Sequence, residues 1–149
     1  EWRRALFESG PLGKPSDPEL VATYLRQVAP AGPLFVWGNA GQIYALSGRE
    51  PATRFVIAEF TNTTSPRPVL SRAQLIEDAR ARPPAAIVVD PHADEAGLEL
   101  SRFPALANLI DACYQRVDQM PSGWGLYVER NPGSDCLSLV GAAAVGERG

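Results

Sequence analysis

Short, unbroken apolar runs that alternate with helical segments are the feature of this sequence that most constrains its fold. The runs at residues 34–38 and 85–90 are flanked by proline or glycine and contain no polar alternation. Runs of this length and composition are typical of strands that are buried on both faces. Further strands are predicted at residues 53–60 and 124–130, and residues 114–120 can be read either as a helix end or as a strand.

Helix signals stand between these runs. Ser16 is followed by Asp17, Pro18 and Glu19, which is a typical helix start, and Pro30 marks the end of that helix. Further helices are predicted at residues 39–46, 72–81 and 105–114.

This alternation predicts an α/β fold: a three-layer sandwich around a mostly parallel, Rossmann-like sheet of about four to five strands. The glycines after the first strand, Gly38 and Gly41, do not form the GxGxxG pattern, so the dinucleotide fingerprint is lacking. The single lysine, Lys14, lies in no phosphate-binding loop. We therefore predict no cofactor.

Length and charge restrict the class of protein. The 149 residues suit one domain, and 14 basic against 17 acidic residues give a net charge of −3, which argues against nucleic acid as a partner. The sole methionine is Met120, so we expect the chain to be a piece of a longer protein. Its predicted organisation is an arm at residues 1–16, an α/β domain at 17–130 and a tail at 131–149, in which residues 137–140 are a candidate strand.

Four residues near the first strand form the first candidate site. Trp37 and Tyr44 could provide an aromatic platform for a sugar ring, and Arg49 and Arg54 could bind a phosphate or carboxylate. The structural alternative is that the aromatic rings belong to the core and that the arginines pair with nearby acidic residues. The sequence leaves both interpretations open.

A second, weaker candidate follows the third predicted strand. Any catalytic triad would have to use His92, the only histidine, and Asp90 stands two residues before it at the strand end. Asp90 could equally cap the following loop. The cluster of His92, Asp94 and Glu95 is too loose to predict a metal site.

One segment carries a family resemblance. Residues 35–55 read FVWGNAGQIYALSGREPATRF. This resembles the segment after the last transmembrane helix in bacterial membrane glycosyltransferases of the GT-C type, the dolichyl-phosphate-mannose-protein mannosyltransferase-like proteins. Pro83-Pro84 before an Ile-Val strand, Phe103-Pro104 before a helix, and the Trp-Gly-Leu-Tyr of residues 124–127 also fit, so that the resemblance covers residues 17–130.

The resemblance implies a soluble extracytoplasmic accessory domain of a bacterial cell-membrane protein. The parent would be a transferase that uses a lipid-phosphate-linked sugar donor, with its catalytic acidic residues in the membrane part, so this chain alone would not catalyse transfer. The implied partners are the membrane domain of the same polypeptide and, in addition, the lipid-linked sugar or the acceptor. Residues 1–16 would be a juxtamembrane link, and a Cys113–Cys136 disulfide would be permitted outside the cytoplasm.

Two alternatives remain at this stage. A stand-alone hydrolase or transferase using Asp90 and His92 predicts a concave pocket around both side chains. A purely structural interaction domain predicts an exposed apolar patch at the surface that docks.

Overall fold

The computed structural model describes residues 16–57, 68–93, 98–117, 120 and 123–140. In these ranges the helices and strands, in chain order, are α1 (Asp17–Val28), β1 (Leu34–Trp37), α2 (Gln42–Ser47), α3 (Pro68–Ala81), β2 (Ala86–Val89), α4 (Pro104–Cys113), β3 (Tyr114–Val117) and β4 (Gly125–Glu129). Short 3₁₀ turns lie at Pro91–Ala93 and Leu100–Arg102, and residues 136–140 form a last helical turn. The predicted arm falls almost wholly outside the described residues.

Helix α1 begins where the sequence predicts. The backbone N–H of Ser16 donates to the carboxylate of Glu19 at 2.8 Å, which satisfies a donor that the helix start would otherwise leave open. Its buried face consists of Val21, Ala22 and Leu25. The helix therefore lies with an apolar stripe against the sheet and ends before Pro30.

The sheet has the order β1-β2-β4-β3, and the predicted mostly parallel, Rossmann-like arrangement is wrong. Only β1 and β2 run parallel, with Leu34 opposite Ala86, whereas β4 runs antiparallel to both β2 and β3. For β3 and β4 the physical reason is the short connection between them, residues 118–124, because parallel neighbours need a crossover of about a dozen residues or more.

The predicted strand at residues 53–60 is also wrong over the residues of this segment that the structure describes. Residues 53–57 are irregular, and residues 58–60 lie outside the described ranges. Just before this segment, Pro51 forms an isolated parallel bridge with Leu34 at the outer edge of β1. Proline lacks the N–H that a continued ladder needs, so the pairing stops at this bridge.

Helices cover both faces of the sheet. One apolar cluster contains Phe35, Trp37 and Ile87 of the strands together with side chains of α3 and α4. The other contains Leu34, Val36 and Val88 together with side chains of α1 and α2. All four residues of β1 are buried, as an apolar run without alternation predicts.

A disulfide fastens the last described segment to the body. Cys113 at the end of α4 is bonded to Cys136, with their Cα atoms 5.8 Å apart. The next residue, Leu137, is buried in the core cluster of α3 and α4. The candidate strand at residues 137–140 is wrong, since this segment is helical.

Candidate functional site

Trp37 closes β1 and points into the core on the α3 and α4 side. Its indole ring is 1% exposed and packs at a tilt against Phe103, with 5.9 Å between ring centroids. The indole Nε1–H donates to the carbonyl of Leu98 at 2.8 Å. The ring is therefore a core aromatic whose polar tip is satisfied inside the protein.

Tyr44 lies on the opposite face of the sheet, in the α1 and α2 cluster. Its hydroxyl oxygen accepts a hydrogen bond from the backbone N–H of Val36 at 2.9 Å. Burial raises the pKa of Tyr44 to about 12, because the charged phenolate would lose its hydration. The side chain therefore serves as a neutral acceptor along the edge of β1.

The segment after Tyr44 completes this edge. The N–H of Leu34 donates to the carbonyl of Glu50 at 2.9 Å, and the carbonyl of Leu34 accepts from the N–H of Ala52 at 2.8 Å. Together with the bond from Val36 to Tyr44, three outward-facing backbone groups of β1 find partners within residues 44–52. This part of the chain acts as a partial substitute for a neighbouring strand.

Arg49 caps the carboxyl end of α1. Its guanidinium donates to the carbonyls of Leu25 at 3.1 Å and Ala29 at 2.9 Å, and also to the carbonyl of Pro30. Partial burial lowers the pKa of Arg49. A cation at this place satisfies carbonyls that a helix end leaves open and offsets the negative end of the helix dipole.

Arg54 binds Asp78 of α3 in a fork. Its Nε and Nη2 donate to the two carboxylate oxygens at 2.9 and 2.8 Å, and its own backbone N–H donates to the same carboxylate at 2.9 Å. The hydrogen bond from the Arg54 side chain holds the pKa of Asp78 below its usual range. The pair joins the segment after α2 to α3.

These four side chains do not meet in one cleft. Trp37 and Tyr44 are buried on opposite faces of the sheet, and Arg49 and Arg54 are bonded to different elements. What they share is a position along β1 and its edge. The structure thus shows each of them in a hydrogen-bonded role inside the fold.

Asp90 and His92 follow β2. The Asp90 carboxylate accepts from the backbone N–H of His92 at 2.9 Å, and the Asp90 carbonyl accepts from the N–H of Ala93 at 3.1 Å. These hydrogen bonds start the 3₁₀ turn at Pro91–Ala93. Asp90 therefore caps the loop, which is the alternative role that the sequence analysis gives it. The imidazole of His92 is exposed.

Gly38 explains how Asp90 fits beside β1. Gly38 has a φ of +137°, and a Cβ built on it would lie 2.4 Å from the Cβ of Asp90. Only glycine allows the two strand ends to approach so closely in this conformation.

An open groove lies at the other end of the parallel pair, where β1 and β2 begin. It encloses about 570 Å³ and is lined by Arg26, Ala31, Gly32, Pro33, Ser47, Gly48, Arg49, Glu50 and Arg82. Arg26 and Arg82 are residues that sequence reasoning missed. The signal that could have found them is the parallel pairing of β1 and β2, which places the turns before the two strands side by side. The 2.8 Å hydrogen bond from the Ala85 N–H to the Pro33 carbonyl joins these turns.

The described ranges lack two kinds of feature. None of the helices in them is both long and apolar enough to cross a bilayer. Within the same ranges, no cluster of three or more histidine, cysteine, aspartate or glutamate side chains could hold a metal ion.

Comparison of the chain with protein-family models, with curated proteins and with solved structures finds no match. The resemblance to GT-C glycosyltransferases therefore stays a prediction from the residues that carry it.

Proposed function

We propose that this chain is an extracytoplasmic accessory domain of a membrane glycosyltransferase that uses a lipid-phosphate-linked sugar donor, and that it does not catalyse transfer alone. The observation that carries the proposal concerns residues 35–55, the segment of the family resemblance. Its distinctive side chains, Trp37, Tyr44, Arg49 and Arg54, all hold the fold together. A resemblance carried by residues with this role supports a similar domain architecture rather than a similar active site.

The disulfide supports a location outside the cytoplasm. Cys113 and Cys136 are the only cysteines of the chain, and they are bonded to each other. Such bonds persist in oxidising compartments and are rare where thiols are kept reduced.

The accessory role is supported by Asp90, one of the two candidate catalytic residues. Its carboxylate accepts from the backbone N–H of His92 and its carbonyl from that of Ala93, so Asp90 has a structural role in its own loop. The domain would instead pack on the membrane part and help to hold the acceptor.

The size and location of the native protein provide the first test. An antibody raised against this chain should detect, in fractionated source cells, a membrane-bound polypeptide much larger than 16.0 kDa. In intact cells whose outer envelope is permeabilised, Cys113 and Cys136 should resist thiol alkylation until a reductant is added. A soluble species of the size of the chain, with freely reactive thiols, would contradict the proposal.

Sugar transfer provides the second test. Membranes that contain the full polypeptide should transfer a radiolabelled sugar from a polyprenyl-phosphate donor, and the isolated chain should not. Asp90→Asn in the full polypeptide is a useful variant, because loss of transfer with an intact fold would assign catalysis to this domain and refute an accessory role. Asp135→Asn, at an exposed position, is the matched control.

A further inference from the structure

The groove at the start of β1 and β2 is positively charged in a chain whose net charge is −3. Its lining brings three guanidinium groups, those of Arg26, Arg49 and Arg82, against the single carboxylate of Glu50. The excess of positive charge is therefore a property of this groove. The three arginines come from different parts of the chain, and the fold brings them together.

The three arginines differ in how many of their N–H groups are bonded to acceptors within the described residues. The two terminal nitrogens of Arg49 face four backbone carbonyls, those of Leu25, Ala29, Pro30 and Gly32. A guanidinium carries two N–H groups on each terminal nitrogen, so the fork of Arg49 is fully engaged. Arg49 therefore contributes a fixed charge to the groove and no terminal donor.

Arg26 and Arg82 are only partly engaged. In Arg26, Nη1 donates to the carbonyl of Leu46 and Nη2 to the hydroxyl of Thr23 at 3.2 Å. In Arg82, Nη1 donates to the carbonyl of Pro51 at 3.3 Å and Nη2 to the carboxylate of Glu50. Within the described part of the chain these are their side-chain bonds, so each terminal nitrogen keeps a second N–H and each Nε–H is also available there.

These donors face an accessible space. The Arg82 side chain is 49% exposed, and that of Glu50 is 76% exposed, so their ion pair is open to exchange. Gly32 and Gly48 line the groove without side chains that would fill it. An anion can therefore reach both arginines without displacing a buried group.

We propose that this groove binds a phosphate group, with Arg26 and Arg82 as its direct donors. Guanidinium forks match the oxygens of phosphate, and two forks from different elements suit a tetrahedral anion better than a flat carboxylate. Glu50 competes for Arg82 and weakens the site. The proposal does not depend on the glycosyltransferase assignment, and the phosphate can be free or part of a lipid headgroup.

The test is an NMR titration of the full 149-residue chain with inorganic phosphate at constant ionic strength, with acetate as the comparison anion. We expect saturable shifts at the amides of Gly32 and Gly48 and at the side chains of Arg26 and Arg82. Acetate should bind at least threefold more weakly. Shifts that acetate reproduces at equal concentration would overturn the proposal. So would the absence of saturable shifts with inorganic phosphate if phosphatidylglycerol vesicles are not bound either.

Variants separate binding from folding. Arg82→Gln should weaken phosphate binding about two- to fivefold, as removal of one exposed charge does, and Glu50→Gln should strengthen it by a similar factor. Arg116→Gln, on β3, is the matched control and should change nothing. If Arg82→Gln fails to fold, Glu50→Gln still tests the proposal, because unchanged or weaker phosphate binding by that variant refutes the site.

Vesicles identify the source of the phosphate. Binding to phosphatidylglycerol vesicles, with none to phosphatidylcholine and none to inorganic phosphate, supports a lipid headgroup. Binding of inorganic phosphate alone supports a free ligand. Binding to neither refutes the proposal.

Discussion

Arg26 and Arg49 cap each other's helices. Arg26, on the last turn of α1, donates to the carbonyl of Leu46 near the end of α2, whereas Arg49, just after α2, donates to the carbonyls that end α1. The sharp turn at Gly48, with a φ of +69°, directs the chain back so that this exchange can occur. The two helices thus form one unit on their face of the sheet.

Replacement of Arg49 should destabilise this unit. Arg49→Gln removes the donors for four carbonyls, and we expect the free energy of unfolding to fall by about 1–3 kcal/mol in urea titrations. Arg49→Lys should recover less than half of the loss, because an ammonium group cannot match the planar fork. Arg116→Gln on β3 is the control. If Arg49→Gln is as stable as this control, the capping role is wrong.

The ion pair between Arg54 and Asp78 should make the free energy of unfolding depend on pH in the acidic range. The folded-state pKa of Asp78 lies below its ordinary value of 3.8, mainly through the side chain of Arg54. The pair therefore stabilises the fold above that value, and the contribution is lost as the pH falls through the folded-state pKa.

The measurement compares Arg54→Gln with the parent chain by urea unfolding from neutral pH down to about pH 2. The stability difference should be small, as is usual for an exposed pair, and largest near neutral pH, and it should vanish in acid. Asp111→Asn, at an exposed carboxylate on α4, is the control. A difference that stays constant with pH would contradict this account of Asp78.

Gly38 should not tolerate a side chain. Gly38→Ala combines a strained φ with a Cβ contact of 2.4 Å to Asp90, so we expect a loss of about 2–4 kcal/mol. Gly133→Ala isolates the strain, because Gly133 has a φ of +80° but no atom within 4 Å of a built Cβ. It should lose only about 1–2 kcal/mol. Thermal unfolding of both variants measures the difference, and equal losses would mean that the contact with Asp90 is unimportant.

Reduction of the disulfide should lower stability without changing the sheet. The Cys113–Cys136 bond closes a segment with a sequence separation of 23, for which chain-entropy arguments give about 3 kcal/mol. The experiment is urea unfolding with and without a phosphine reductant, with Cys113→Ala/Cys136→Ala as the variant that should no longer respond. If the parent chain is equally stable in both conditions, the bond does not contribute as proposed.

The sequence predicted the elements that local composition decides. Strands β1, β2 and β4 and helices α1 and α4 lie within a few residues of their predicted positions, because buried apolar runs and capping residues are local signals. Strand direction is not local. For β3 and β4 it depends on the length of the connection between them. The sequence shows that this connection is short only if residues 114–117 are interpreted as a strand.

The candidate site was harder to predict, for a related reason. Suitable chemistry and proximity in the chain are shared by Trp37, Tyr44, Arg49 and Arg54. A strand, however, places neighbouring side chains on opposite faces. Val36 and Trp37 already face different clusters. Arg26 and Arg82, by contrast, are far apart in the sequence and meet only because β1 and β2 are parallel neighbours.

The bonds from β1 to residues 44–52 have a consequence for how molecules of this protein behave together. An edge strand with open N–H and carbonyl groups is a template for intermolecular pairing and aggregation. Here the outward N–H groups of Leu34 and Val36 and the carbonyl of Leu34 are already bonded within the same chain. The Tyr44 hydroxyl, the Glu50 carbonyl and the Ala52 N–H therefore protect a fully apolar strand from recruiting a strand of another molecule.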